Sequence, residues 1–137
     1  MVLHNTTQYA IRILNYLANE SNNRLVSATT LAEKLDISYK FLTKVMTNLA
    51  KEGLVNSVRG REGGFTLARP ANEIHISEVF NVISGSLKGP SCILGIKNCD
   101  HKEQCALHEQ WQEPKRLMLE MFNNTTLDKL RGNEFKV

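Results

Sequence analysis

The sequence has no apolar run approaching the roughly 18 residues that a membrane span requires. Its opening, Met1-Val2-Leu3-His4-Asn5, lacks the charged start and apolar stretch of a secretory signal, so a cytoplasmic protein with no membrane partner is expected. No internal repeat or low-complexity tract is present, which removes repeat arrays from consideration. Prolines number only three. Cysteines also number three, and an odd count in a cytoplasmic chain argues against a structural disulfide framework. No glycine-rich nucleotide motif stands between a strand and a helix, because Gly63-Gly64 falls in a hairpin pattern. The three cysteines and their neighbouring histidines could form a nucleophile and base. Without a substrate or cofactor motif beside them, however, the expectation is that the chain is not an enzyme.

What is present is one domain's worth of sequence: 137 residues, enough to bury a core. An apolar share of 42% makes disorder a poor description. The net charge of +3 is unevenly placed. Residues 1–70 carry nine Lys/Arg against five acidic groups, whereas residues 71–137 carry eight against nine. A basic front half suits a polyanionic partner, although charge alone also fits a merely solvated surface.

The apolar spacing predicts a helix from about Thr6 to Ala18, with Tyr9, Ala10, Ile13, Leu14 and Leu17 on one face. A second helix should start at Ser27 or Ala28 and run to Leu35. After the short Asp36-Ile37 connection, Ser38 is a suitable N-cap for a third helix reaching Glu52, with Gly53 as its left-handed terminator. Beyond Gly53 the period changes from 3.6 to 2. Leu54 to Val58 and Phe65 to Ala68 then read as the strands of a hairpin around an Arg59–Gly64 loop. Ser77 is expected to cap a fourth helix through Ile83, closed by Ser84-Gly85. A last long helix should span Ala106 to Phe122, with Pro114 marking a kink or a later start. Thr125 or Thr126 would cap a final turn through Leu130.

Helix, short turn, helix and hairpin is the order of a winged helix-turn-helix. The fold class is therefore mainly α with a small β-hairpin wing, plus a long C-terminal helix. The outer face of the third helix carries Tyr39, Lys40, Thr43, Lys44 and Asn48, with Ser38 at its start. These are residue types that reach phosphates and base edges from a major groove about as wide as a helix. At the wing tip Arg59 and Arg61 flank Gly60, and arginine there suits the strongly negative minor groove. An amphipathic helix or a surface turn alone would be ordinary. Together they point to double-stranded DNA, with an RNA- or protein-binding winged helix as the rival.

Cys92, Cys99 and Cys105 fall within fourteen residues, with His108 three positions beyond the last. Thiolates hold iron–sulfur clusters, and imidazole can replace some of them. A segment containing Gly89, Pro90 and Gly95 can curl to gather three sulfurs. Zinc is a second possibility, although its ligand pairs are usually more closely spaced than these. A cluster-free thiol switch is a third. Three buried structural cysteines fit poorly with a segment bearing Lys97, Asp100, Lys102 and Glu103.

Ile37-Ser38 through Leu42, Asn48 through Val55, Val58-Arg59-Gly60-Arg61-Glu62-Gly63-Gly64-Phe65 and Leu67-Ala68-Arg69-Pro70 together resemble the Rrf2 family. The resemblance extends from Tyr9-Ala10 to Asn124-Thr125-Thr126-Leu127. This bacterial family includes iron–sulfur-cluster regulators, nitric-oxide sensors and regulators of cysteine metabolism. The resemblance implies a winged-helix DNA-binding domain (1–85), a cysteine-bearing sensor loop (86–105), a helix that crosses its mate in a homodimer followed by a short final helix (106–131), and a loose tail (132–137). It implies a repressor that binds a DNA operator and senses nitric oxide, redox state or iron–sulfur status. The cofactor would be a 2Fe–2S or 4Fe–4S cluster on Cys92, Cys99 and Cys105, with His108 as fourth ligand and His101 in reserve. The first cysteine gap is one residue longer than in the members the chain most resembles. Gln8 stands where some members carry an acidic ligand. A cluster-free thiol-based or cysteine-metabolism regulator of the same fold is the alternative.

Overall fold

A computed structural model describes residues 4–20, 23–84, 92–96 and 104–130. Helix α1 (Asn5–Asn19) lies under α2 (Ala28–Leu35) and α3 (Tyr39–Lys51), and the three share one core. Each helix contributes because its apolar residues recur at three- and four-residue spacing. Ile13 and Leu14 of α1, Leu31 of α2, and Leu42 and Leu49 of α3 are all 0% exposed. Burying each such side chain contributes about 1.5–3 kcal/mol, so this cluster dominates the packing energy.

The turn between α2 and α3 is held at both ends. Asp36 takes the left-handed conformation at φ 53°, and Ile37 N–H reaches back to the Ala32 carbonyl at 3.0 Å. Ser27 and Ser38 cap the two helices, their hydroxyl oxygens accepting the Thr30 and Phe41 backbone N–H groups. At the other end of α3, Gly53 (φ 76°) donates to the Ala50 carbonyl, and Leu54 N–H donates to the Leu49 carbonyl at 2.9 Å. This is a Schellman stop, with Leu54 and Leu49 both buried beneath it.

The stop releases the chain into strand β1 (Val55–Val58), paired antiparallel with β2 (Gly64–Leu67) in the register Val55↔Leu67 through Val58↔Gly64. A further pairing was not expected from the sequence: Val26, just ahead of α2, bridges Phe65 through two backbone hydrogen bonds of 3.0 and 2.8 Å. The bridge passes so close to Gly64 that a Cβ there would lie 2.6 Å from the Val26 carbonyl oxygen. After a short 3-10 turn (Ala71–Glu73), α4 (Ile76–Ser84) packs on α1 and α3.

Ser77 is not the cap of α4. It sits inside the first turn and is 8% exposed. Glu78 instead accepts the His75 backbone N–H on Oε2 at 2.9 Å, the reach-back arm of a capping box. Helix α5 (Leu107–Asn124) continues through Pro114, starting well before it rather than at it. Its Phe122 is buried and lies 5.9 Å, ring to ring, from Phe80 of α4. The chain then returns to the entry of α4. Leu127 N–H donates to the Ile74 carbonyl and Ile76 N–H to the Thr125 carbonyl, both at 2.9 Å. A closing 3-10 turn (Leu127–Leu130) follows and buries Leu127 against α1. Gly85, expected to close α4, and the tail expected over 132–137 lie outside the described residues.

A Cβ at Gly53 meets no atom within 4 Å, so an alanine there pays only for its left-handed backbone. Gly53→Ala should therefore lower unfolding free energy by about 1–2 kcal/mol in urea denaturation. An unchanged midpoint would show that the Schellman stop does not hold the turn.

Candidate nucleic-acid interface and cysteine segment

Burial of Leu42, Val45, Met46 and Leu49 turns the opposite face of α3 outward. Tyr39 (58% exposed), Lys40, Lys44 and Asn48 stand on that face, with Thr43 half-buried among them. The two threonines on the face are constrained. Thr43 donates its hydroxyl to the Lys40 carbonyl at 2.9 Å, and Thr47 donates to the Thr43 carbonyl at 2.8 Å. Their donors are spent, which leaves oxygen lone pairs and methyl groups for any external contact. Ser38 accepts the Phe41 N–H and so carries a structural duty at the head of the helix.

The wing tip places Arg59, Gly60 and Arg61 together and exposed, with Gly60 at φ 114°. Four exposed cations thus stand on α3 (Lys40 and Lys44) and the adjoining hairpin (Arg59 and Arg61), and none of them is ion-paired among the described residues.

The base of the wing is tied elsewhere. Arg69, two residues past β2, donates from Nη2 to Glu78 Oε2 at 2.8 Å, and His75 Nδ1 lies 3.9 Å from the same oxygen. The sequence reading assigned no role to Glu78, although the His75-x-x-Glu78 spacing of a capping box was there to be read. Partial burial pushes the Glu78 carboxyl up. The Arg69 and His75 hydrogen bonds and the adjacent positive charge outweigh this and hold it below the usual glutamate range.

In the cysteine segment, Cys92 is half-buried and opens a turn in which Gly95 N–H donates to the Cys92 carbonyl at 2.9 Å. Ile93, Leu94 and Ile96 around it are exposed. Cys105 is exposed, and the His108 backbone N–H donates to its carbonyl at 3.0 Å, which places the two in one turn at the start of α5. Neither described cysteine forms a disulfide. Among the described residues no three His, Cys, Asp or Glu side chains are gathered in a metal-binding group, so Cys92 is not assembled with Cys105 and His108. Cys99 and His101 lie outside the described residues. No helix among the described residues is long and apolar enough to cross a membrane.

A helix pair presenting a basic face, with an arginine-tipped hairpin beside it, defines a winged helix-turn-helix protein. The family model Rrf2, described as an iron-dependent transcriptional regulator, matches residues 3–133, and the chain belongs to that family. A protein of Aquifex aeolicus named as an HTH-type transcriptional regulator is 34% identical over 138 residues, spanning 99% of this chain and 95% of its own. The HTH-type transcriptional regulator IscR of Pectobacterium carotovorum is 31% identical over 134 residues, spanning 98% of this chain and 81% of its own. Among solved structures, CymR, the global cysteine regulator of B. subtilis, superposes with a TM-score of 0.79 at 23% identity, covering 95% of each chain. The fold expected from the sequence, mainly helical with a hairpin wing, is the fold these regulators share.

A carboxylate held below its ordinary range stabilises the fold fully above that range and loses its contribution as pH falls through the lower folded value. Glu78→Gln should accordingly flatten the acid limb of the stability–pH profile below the ordinary glutamate range. The effect is small, because the Glu78 side chain is 38% exposed. An acid limb identical to the parent's in pH-stepped urea titrations would contradict the ion pair.

Proposed function

We propose that the chain is a homodimeric transcriptional repressor that reads an operator with α3 and the wing and takes its signal through the cysteine segment. The observation that carries the DNA reading is the outward face of α3, with Tyr39, Lys40, Lys44 and Asn48 exposed and Thr43 half-buried among them, followed in the chain by a hairpin whose tip exposes Arg59 and Arg61. In this reading Lys40 and Lys44 neutralise phosphates, and the N-terminus of α3 at Ser38 faces the backbone. Tyr39 and Asn48 reach base edges, and the Thr43 methyl suits a thymine methyl. Arg59 and Arg61 enter the adjoining minor groove, with Gly60 letting the hairpin approach closely.

The homodimer rests on α5. Its polar side is self-satisfied, Arg116 pairing with Glu113 at 2.6 Å and Glu120 at 3.0 Å. Beside it Leu107, Leu117 and Met121 are 41%, 53% and 55% exposed, and Pro114 stands exposed between them. An apolar strip with this spacing along a helix fits a second copy packed against it.

The donor chemistry of the cysteine segment fits an iron–sulfur cluster: three thiols and an imidazole, with Cys105 and His108 already in one turn. Cys92, Cys99, Cys105 and His108 would hold it, and the cluster would supply reactivity toward nitric oxide or oxidants. The protein's own part is to join α4 to α5 through that segment, so that ligation constrains both helices at once. A cluster-free thiol regulator is the second reading. It is favoured by the separation of Cys92 from Cys105 and His108, and by the exposure of the Cys105 thiol.

Protein purified without oxygen separates the two readings. The first predicts stoichiometric iron and acid-labile sulfide, lost in Cys99→Ala together with the response of DNA binding to nitric oxide. Absence of iron and sulfide with full DNA binding would overturn it in favour of thiol chemistry. In the same assays Arg59→Ala should weaken binding to duplex DNA by about tenfold, or about 1.4 kcal/mol. Parental affinity in that variant would contradict the assignment of the wing.

A further inference from the structure

Helix α4 is fastened at both ends to different parts of the molecule. At its start Glu78 holds Arg69, which emerges from the base of the wing. At its end Ser84 shares a 2.7 Å hydrogen bond with Thr7 of α1, whose side chain is fully buried. Ser84 precedes Cys92 by eight residues. The helix therefore runs from the wing to the threshold of the cysteine segment.

We propose that Glu78 is a positioning residue for the wing, setting through Arg69 the angle at which Arg59-Gly60-Arg61 meets the duplex. The proposal rests on the DNA-binding reading above. The wing base is also held by the backbone pairing of Val26 with Phe65, by Ala68 N–H on the Leu54 carbonyl at 3.1 Å and by burial of Val55 and Leu67 in the core, whereas Arg69 with Glu78 is the ion pair that joins it to α4. From Leu67 to the tip is about four residues of strand, roughly 13 Å at about 3.3 Å per residue, so a tilt of about 10° at the base moves the tip by about 2 Å. That displacement is enough to break an arginine–phosphate hydrogen bond, whose length tolerates only a few tenths of an ångström. The ion pair itself is a poor source of stability, with both side chains 38% exposed. Its geometry is more specific than its energy, since one carboxylate oxygen receives both Arg69 and the His75 backbone N–H. Movement of α4 is thereby passed to the wing rather than absorbed at a loop.

The test is a pair of double-mutant cycles on the full chain, using a duplex that the parent selects from a random-sequence library. Glu78→Gln keeps a cap acceptor for His75 and removes the charge. Arg59→Ala probes the wing and Lys44→Ala probes α3. The expected result is that Arg59→Ala, costing the parent about tenfold in affinity, costs the Glu78→Gln protein less than about threefold, a coupling typical of residues that act as one unit. Lys44→Ala should cost the same factor in both backgrounds. Arg69→Met should reproduce the effect of Glu78→Gln, with melting temperatures near the parent's. Equal losses for Arg59→Ala in both backgrounds would overturn the proposal. So would an equal change in the Lys44 cycle, which would show a general loosening rather than a wing effect. If the parent itself shows no preference among duplexes, the DNA-binding reading falls, and that outcome is visible before any Glu78 variant is measured.

Discussion

Everything exposed on the functional side of this molecule depends on burial of the inner face of α3. Leu42, Val45, Met46 and Leu49 are almost completely removed from water, packed with Ile13, Leu14 and Leu31 from the two preceding helices. Because a helix turns 100° per residue, sealing those four positions dictates that Tyr39, Lys40, Lys44 and Asn48 face solvent. The same burial fixes where the helix ends. Leu49 and Leu54 close over Gly53, and the chain leaves in the direction that becomes β1. One packing decision thus positions both the helix and the hairpin, and the charged groups cost the core nothing because none of them enters it.

Much of this is legible in the residues. The 3.6-residue spacing of α1 and α3, the serines ahead of α2 and α3, and the glycine after α3 are local signals, and the structure uses each of them locally. Signals that depend on a distant partner are not legible in the same way. Val26 pairs with Phe65 across the fold, and nothing in Arg24-Leu25-Val26 specifies that partner. Ser77 is a local case instead: it has the chemistry of a cap, but Glu78, one residue on, reaches back three positions to His75 and leaves the serine to be buried. Pro114 reads as a kink or a later helix start, and of the two the later start is excluded, because α5 begins at Leu107 and carries the proline at an exposed position.

The candidate site divides along the same line. The residues proposed to read DNA lie on one helix and one hairpin, so their placement follows from periodicity and turn chemistry. The cysteines lie on a connection without a period, and sequence spacing bounds their separation without bringing them together. Cys105 and His108 are joined only because α5 begins there, whereas Cys92 belongs to a separate turn. Membership of the Rrf2 family establishes a winged-helix transcriptional regulator.

The central claim is that α3 and the wing act as one DNA-reading surface, presented twice by a dimer. Hydroxyl-radical footprinting of a selected duplex tests it most directly. The account predicts two protected patches on one face of the DNA, separated by one helical turn (about 34–36 Å) or a multiple of it, each flanked by minor-groove protection that disappears in Arg59→Ala. A single unphased patch, or equal protection of a scrambled duplex, would contradict it.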